Sequence, residues 1–495
     1  MSQVHAFIVG QAQQSYHDAE FVDHPLILMQ QIANQALREA HIEPEQLDAI
    51  ACVDPFSWTY ADLGKTVAKE LGCRADILDM WLPAGGTTPQ DLLHKITAAM
   101  AGNEIDVALI VGAEAMRTRR KASRAGEQLA WPPRDKSVSP TRGQKPFSSD
   151  WEAKHGLRLP IQSFPIHENA IRHAHGRSAE EQIQVAAELL HKNALVAADN
   201  QHAWFQDAPS VELIGTVTEE NRLIAYPYTK RMNAIMDVDQ AAAIVVVSQR
   251  VVDQLADRSK AAAILGGAGA EEIWNPIERR SLAACKAMEV AFANALNASG
   301  IAAEDIDAFD FYSCFPSPIQ MALDALNVPV QDPRSFSLTG GLAYAGGPGN
   351  NYVLHSLATA VAQLRAKPEQ TLMVTGVGMA NTKHTATLLA GGVYLPEKAT
   401  GKTEYRVETG DTPLPVTERA DGPAAIASYT IEYDRGGQPT NVIYLLDLAD
   451  GARAIANARD AVTAASELLV ADPIGASGRL EWDAAADRQY FALGR

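Results

Sequence analysis

The chain has 495 residues, 47% hydrophobic and 21% charged, a globular composition that excludes collagen-like, disordered and small disulfide-scaffold proteins. With Lys+Arg 42 against Asp+Glu 60, the net charge is −18, which argues against nucleic acid or an anionic membrane surface as partner. No apolar run approaches the roughly 18–20 residues of a membrane span, and the N-terminal stretch lacks the basic and apolar regions of a signal peptide.

In chain order, the first informative segment is ALREAHIEPEQLDAIACVDPF from Ala36, which reads as a helix, a turn and a buried strand. It returns as ALNASGIAAEDIDAFDFYSCF from Ala295, with Ala36, Leu37, Ile42, Glu45, Asp48, Ala49 and Phe56 matching Ala295, Leu296, Ile301, Glu304, Asp307, Ala308 and Phe315. Next, the loop Gly85-Gly86 enters a helix carrying Leu93-His94, and a strand VALIVGAEAM follows. The counterpart is Gly346-Gly347, Leu354-His355 and TLMVTGVGMA. Alternating strands and helices predict parallel sheets covered by helices, and the duplication predicts a pseudo-twofold layered α/β body with a site between the halves.

An insertion at about 117–228 divides the first half. Its basic, Pro/Ser-rich start reads either as a mobile surface loop or as a substrate lid. Ser178 and Glu181 form a capping box before a helix, and NRLIAYPYTKRMNAIMDVDQ predicts a loop, a helix and then a strand over Ala242 to Ser248. The stretch Lys398 to Thr417 reads as a linker. Beyond it, alternating Tyr429, Ile431 and Tyr433 and turns at Gly436-Gly437 and Asp450-Gly451 predict a small all-β domain. The expected division is 1–250 for the first half, 251–397 for the second and 415–495 for the β domain.

Four groups of residues are candidates for chemistry. At the glycine pairs, Thr87 or Thr88 and Asn350 or Asn351 are expected caps, and free N–H groups at a helix start favour an oxyanion or phosphate; the alternative is that the glycines only allow close packing. Tyr312, Ser313 and Cys314 sit at a strand end, where Cys314 is either a nucleophile or a buried small thiol. After Gly378, Lys383-His384 either reaches the same cleft or stays a solvated pair. His167, His173 and His175 lack zinc-helix spacing, and the four cysteines (Cys52, Cys73, Cys285, Cys314) are too scattered for a disulfide framework or zinc site. No metal is expected, and no nicotinamide or flavin fingerprint is present. Reduced thiols in a cytoplasmic protein are the expectation.

The duplicated halves together with LTGGLAYAGGPGNNYVLHS, FDFYSCFP, NRLIAYPYTKRMNA and ANTKH resemble the thiolase superfamily, specifically the thiolase-like proteins of type 1. The resemblance spans essentially the whole chain. It implies a layered α-β-α-β-α thiolase fold with a C-terminal OB-like β domain, and an acyl-CoA thioester as substrate or ligand with no covalently bound cofactor. It also places the thiolase nucleophilic cysteine at Gly85, the histidine of Gly-His-Pro at Gly347, the acid/base cysteine at Val374 and the Asn-Glu-Ala-Phe asparagine at Tyr312. Acyl-cysteine chemistry is therefore not expected. The implied site comprises Tyr312, Cys314 and His384 as chemical groups. Gly85, Gly86, Thr87, Gly346, Gly347, Asn350, Gly376 and Gly378 form the oxyanion and substrate scaffold. An acyltransferase-family enzyme, a retro-aldolase acting on 3-hydroxyacyl-CoA and a non-catalytic acyl-CoA or lipid binder all remain open. So do monomer or homodimer, and a protein partner recruited through the β domain.

Overall fold

The computed structural model describes residues 5–494 apart from Pro140, Ala256 and Ala471. The first half comprises β1 (Ala6–Ser15), α1 (Pro25–Ala40), β2 (Ala49–Val53), α2 (Leu63–Leu71), β3 (Leu78–Met80), α3 (Thr88–Ala101) and β4 (Val107–Ala115). The insertion carries α4 (Met116–Ala125), α5 (Asp150–Lys154), α6 (Pro160–Ala174), α7 (Ala179–Asp199), α8 (Val211–Gly215), β5 (Leu223–Ala225) and β6 (Tyr228–Thr229), and β7 (Asp239–Ser248) closes the half. After the short α9 (Gln249–Val252), the second half runs β8 (Ala262–Glu271), α10 (Lys286–Ser299), β9 (Ala308–Asp310), α11 (Pro316–Leu326), α12 (Tyr352–Ala366), β10 (Thr371–Gly378) and β11 (Lys383–Gly391).

The duplication is visible in the topology. The main sheet has the order β3-β2-β4-β7-β1-β8-β11-β10-β9. Outward from the seam between β1 and β8, where Phe7 pairs with Ala263 and Ile8 with Ala262, the halves read β1-β7-β4-β2 and β8-β11-β10-β9. Strand directions match as well. The pairs β2–β4 and β9–β10 are parallel, while β7 and β11 run antiparallel to both neighbours. The sheets are therefore mixed rather than parallel. A crossover helix joins β2-type to β4-type strands, but β10 reaches β11 through a tight turn, which forces an antiparallel pair.

Helices α3 and α12 lie at the centre, buried on nearly every side, as a core helix must be. Each reaches into the other half's sheet. His94 Nε2 lies 2.8 Å from Thr387 Oγ1 of β11, and His355 Nδ1 lies 3.2 Å from Gln13 Oε1 of β1. Burial brings both imidazoles down to about 3, so they are neutral.

Two segments differ from the sequence expectation. The expected linker contains β12 (Thr403–Val407), which pairs in parallel with β8. Gly269 of β8 leaves room for the Tyr405 carbonyl, and Arg406 binds Asp91 of α3 through both Oδ atoms, at 2.5 and 2.9 Å. The segment before β7 holds only a single 3-10 turn, Lys230–Met232, where a helix was expected.

The C-terminal domain is β13 (Gly422–Tyr433), β14 (Pro439–Asp447), β15 (Arg453–Asn457), α13 (Ala461–Leu468), β16 (Ser477–Asp483) and β17 (Arg488–Leu493). The order β14-β15-β17-β16-β13 closes through a β13–β14 pairing, and β15 and β17 are parallel. This is the closed five-stranded order of an OB-type barrel, with α13 between its third and fourth strands. The insertion is bound to the barrel: β5 pairs with β13, Ser428 Oγ donates to the Ile166 carbonyl at 2.6 Å, and Arg172 meets Asp472 at 2.7 Å. Among the described residues no helix is long and apolar enough to cross a membrane.

Candidate active site

The loop before α3 is set against the end of β10. Proline at the start of α3 fixes the helix entry, yet no side chain caps it. Thr87 Oγ1 instead donates to Asp91 Oδ2 at 2.7 Å, and Thr88 Oγ1 to the Pro83 carbonyl at 2.9 Å. Gly86 is required by close approach. A Cβ there would lie 2.1 Å from the Val377 carbonyl oxygen and 2.6 Å from the Tyr312 hydroxyl. Gly376 faces Thr87 and Gln90, and Gly378 faces the Gly86 nitrogen. The fold thus gathers Gly85, Gly86, Thr87, Gly376, Gly378 and Tyr312.

Tyr312 is held from two sides. Its backbone N–H donates to Thr375 Oγ1 at 2.9 Å, and its ring meets that of Tyr352, in the first turn of α12, edge-on at 5.5 Å between centroids. Burial raises its phenol far above the usual tyrosine range, with the neighbouring Cys314 thiol as a smaller cause. Tyr312 therefore stays a neutral phenol. Burial likewise raises the Cys314 thiol, which stays protonated. The Cys314 carbonyl accepts from the Ala234 N–H at 3.1 Å, in a loop that also covers the second glycine pair.

That second pair is sealed. The Gly347 N–H donates to the Ile235 carbonyl at 2.7 Å, and Ile235, Leu342 and Ala234 surround its α-carbon. A Cβ on Gly346 would meet Gln240 Oε1 at 2.5 Å. Neither asparagine caps α12; Asn350 Nδ2 donates to the Asp54 carbonyl at 2.8 Å. Gly346 and Gly347 therefore border the insertion's return and β7, and Asn350 the end of β2, rather than the Gly85–Gly86 groups.

Lys383 and His384 are adjacent on β11 and so point to opposite faces of the sheet. Neither is solvated, with exposures of 5% and 0%. His384 faces α10, with Nε2 3.1 Å from Cys285 Sγ and 3.1 Å from the Asn381 carbonyl, and burial lowers it to about 4. It does not join Tyr312. Lys383 does join the first loop: its stem lies on Gly378, and its Nζ comes within 3.9 Å of a Cβ position on Gly85. Gln144, from the insertion, brings its Nε2 within 3.2 Å of the same point, and that buried amide nitrogen has no partner. The basic loop is anchored over the site by Arg142, which binds Asp54 at 2.7 Å and stacks on Trp81. The alternation of β11, with Lys383, Thr385 and Thr387 on one face and His384, Ala386 and Leu388 on the other, was the signal that separates the pair. His167, His173 and His175 contact the Leu282 carbonyl, Asp472 and Asp324 separately. Among the described residues no cluster of three or more His, Cys, Asp or Glu could hold a metal.

A family model described as the thiolase-like protein type 1 additional C-terminal domain matches residues 407–485. The crystal structure of a monomeric SCP2-thiolase like protein type 1 from Mycobacterium smegmatis is 27% identical over 99% of both chains, with a TM-score of 0.81. The chain thus carries the additional C-terminal domain of the type 1 thiolase-like proteins and is similar to one of them over its whole length. An Ltp2-ChsH2(DUF35) aldolase shares the fold at 17% identity and TM-score 0.62, covering 80% of this chain and 100% of that one. Acetyl-CoA acetyltransferase from Syntrophomonas wolfei does so at 13% and 0.58, covering 79% and 100%. No curated protein matches in sequence. The resemblance to thiolases would place the thiolase cysteine, histidine and second cysteine at Gly85, Gly347 and Val374, residues with neither thiol nor imidazole.

Proposed function

We propose that this thiolase-like protein acts on acyl-CoA thioesters without an acyl-cysteine intermediate. The thioester oxygen is received at the backbone of the Gly85–Gly86 loop, and Tyr312 acts as proton donor. One observation carries the reading: the uncapped start of α3, the glycine end of β10 and the Tyr312 hydroxyl converge on one point that holds no thiol. Because the Thr88 N–H is spent on the Gly85 carbonyl and Pro89 has none, the N–H groups of the Gly85–Gly86 loop are the donors that would meet a developing oxyanion, whatever bond is then broken. A raised phenol gives up a proton only to a strongly basic oxygen, as a thioester enolate or an alkoxide provides. Likeness to the aldolase fold, with a barrel fused here to the same chain, supports carbon–carbon cleavage over acyl transfer. The relative described as monomeric makes a single chain the expected working unit.

The test is incubation with acyl-CoA thioesters of varied length, including 3-hydroxyacyl forms, read by mass spectrometry. Tyr312→Phe is expected to lower turnover at least about a hundredfold while the protein still binds thioester, because one transition-state donor is worth roughly 10²–10³. Unchanged turnover removes Tyr312 from the chemistry. A second reading, a non-catalytic acyl-CoA carrier, draws on the sealed Gly347 position. It is preferred if thioester is retained through gel filtration with no chemical change.

A further inference from the structure

The amine of Lys383 is the group at this site that neither the fold nor the thioester reading uses. The residue is 5% exposed. Among the described residues its Nζ makes no hydrogen bond and no ion pair, although two carboxylates stand nearby. Both are engaged elsewhere. Asp91 is held through both oxygens by Arg406, and Glu271 accepts from Arg406 Nε at 3.1 Å. The cations that face Lys383 are Arg406 itself and Lys145. Burial is the largest influence and favours the free amine; Asp91 and Glu271 oppose it, while Arg406 and Lys145 reinforce it. A core lysine that served only packing would place its ammonium on one of these carboxylates. This one is aimed at the open side of Gly85, opposite the unpartnered amide of Gln144 and one residue from the Tyr312 hydroxyl at Gly86.

We propose that the Lys383 amine forms an imine with the carbonyl carbon of an aldehyde or ketone ligand bound at the Gly85–Gly86 loop. The inference rests on the thioester reading in one respect: a 3-oxoacyl thioester presents a ketone to Lys383 while its thioester oxygen occupies the loop. The nitrogen lone pair attacks the carbonyl carbon. The carbonyl oxygen takes a proton from Tyr312, and the nitrogen returns one to the phenolate. Loss of water from the carbinolamine then forms the C=N bond. No electrons are transferred, and the balance is one amine plus one carbonyl giving one imine and one water. A desolvated lysine amine is the group that performs this chemistry near neutrality.

The test uses the full chain with two probes, acetoacetyl-CoA and acetone, each followed by sodium borohydride and peptide mass spectrometry. The expected result is a borohydride-dependent adduct on the Lys383 peptide, at least tenfold above any other lysine and absent from Lys383→Arg. Thermal unfolding of Lys383→Arg shows that the variant is folded, and Lys383→Met serves in its place if it is not. No adduct at Lys383 with either probe overturns the proposal. So does an adduct that forms without borohydride, which would be an amide made by acyl transfer. Calorimetry with acetoacetyl-CoA separates the two readings. Binding without adduct removes the imine and leaves thioester binding; an acetone adduct without thioester binding does the reverse.

Discussion

The two Gly-Gly loops descend from one repeated unit and have opposite fates. At Gly85–Gly86 the backbone meets a phenol, an amine and a free amide. At Gly346–Gly347 the same turn is closed by the backbone of Ile235 and by Gln240. The first loop remains a place where a ligand could be held; the second is a packing joint. Equivalent backbone is thus a permission for a site, and the side chains brought by neighbouring strands and the insertion decide whether one exists.

Substitutions at the glycines break the comparison most sharply. In Gly86→Ala the new methyl meets a backbone oxygen that cannot move aside, so a loss of about 3 kcal/mol in chemical denaturation is expected, at the top of the overpacking range. In Gly347→Ala the nearest atom is at 3.2 Å, and the expected loss is under about 1 kcal/mol. Equal losses would mean that both loops only pack.

The central histidines sharpen the comparison, since here the halves should agree. Both His94 and His355 titrate at about 3 when folded and near 6.5 when unfolded. Their contribution is complete above pH 6.5 and is lost as pH falls toward 3, because the unfolded chain then binds the extra protons. Each steepens the stability profile in that window by up to about 1.4 kcal/mol per pH unit. His94→Gln and His355→Gln should flatten it alike in pH-dependent denaturation. A further, modest effect concerns Lys383. Lys383→Met removes an unpaired amine from a largely buried position and should raise stability by about 1 kcal/mol.

Much of the body was legible because apolar burial repeats. The matched residues from Ala36 and Ala295 mark α1, α10, β2 and β9, and the glycine pairs mark the starts of the central helices. What was not legible depended on pairing across distance. The polar alternation of β12 resembles a linker until Gly269 and Arg406 give it a partner. The direction of β7 follows from a connection more than a hundred residues long, which no local pattern encodes. The sequence reading put Tyr312 and the first loop among the candidate residues, and the fold brings them together, whereas it tied Lys383 to its neighbour His384. Reading the two as a unit overlooked that one residue along a strand is half a turn of the ribbon.

The pairing of β5 with β13 also sets an order on biosynthesis. The insertion strand leaves the ribosome about 200 residues before its barrel partner, which at typical rates of synthesis is about 10–40 s. Throughout that interval α6 presents to solvent, or to a chaperone, the face that Ser428 and Tyr429 will later cover. The barrel is made after the insertion and completes the surface of a segment made long before it. A nascent chain stalled short of Gly422 would therefore hold a thiolase body with an uncovered insertion, a natural target for quality control.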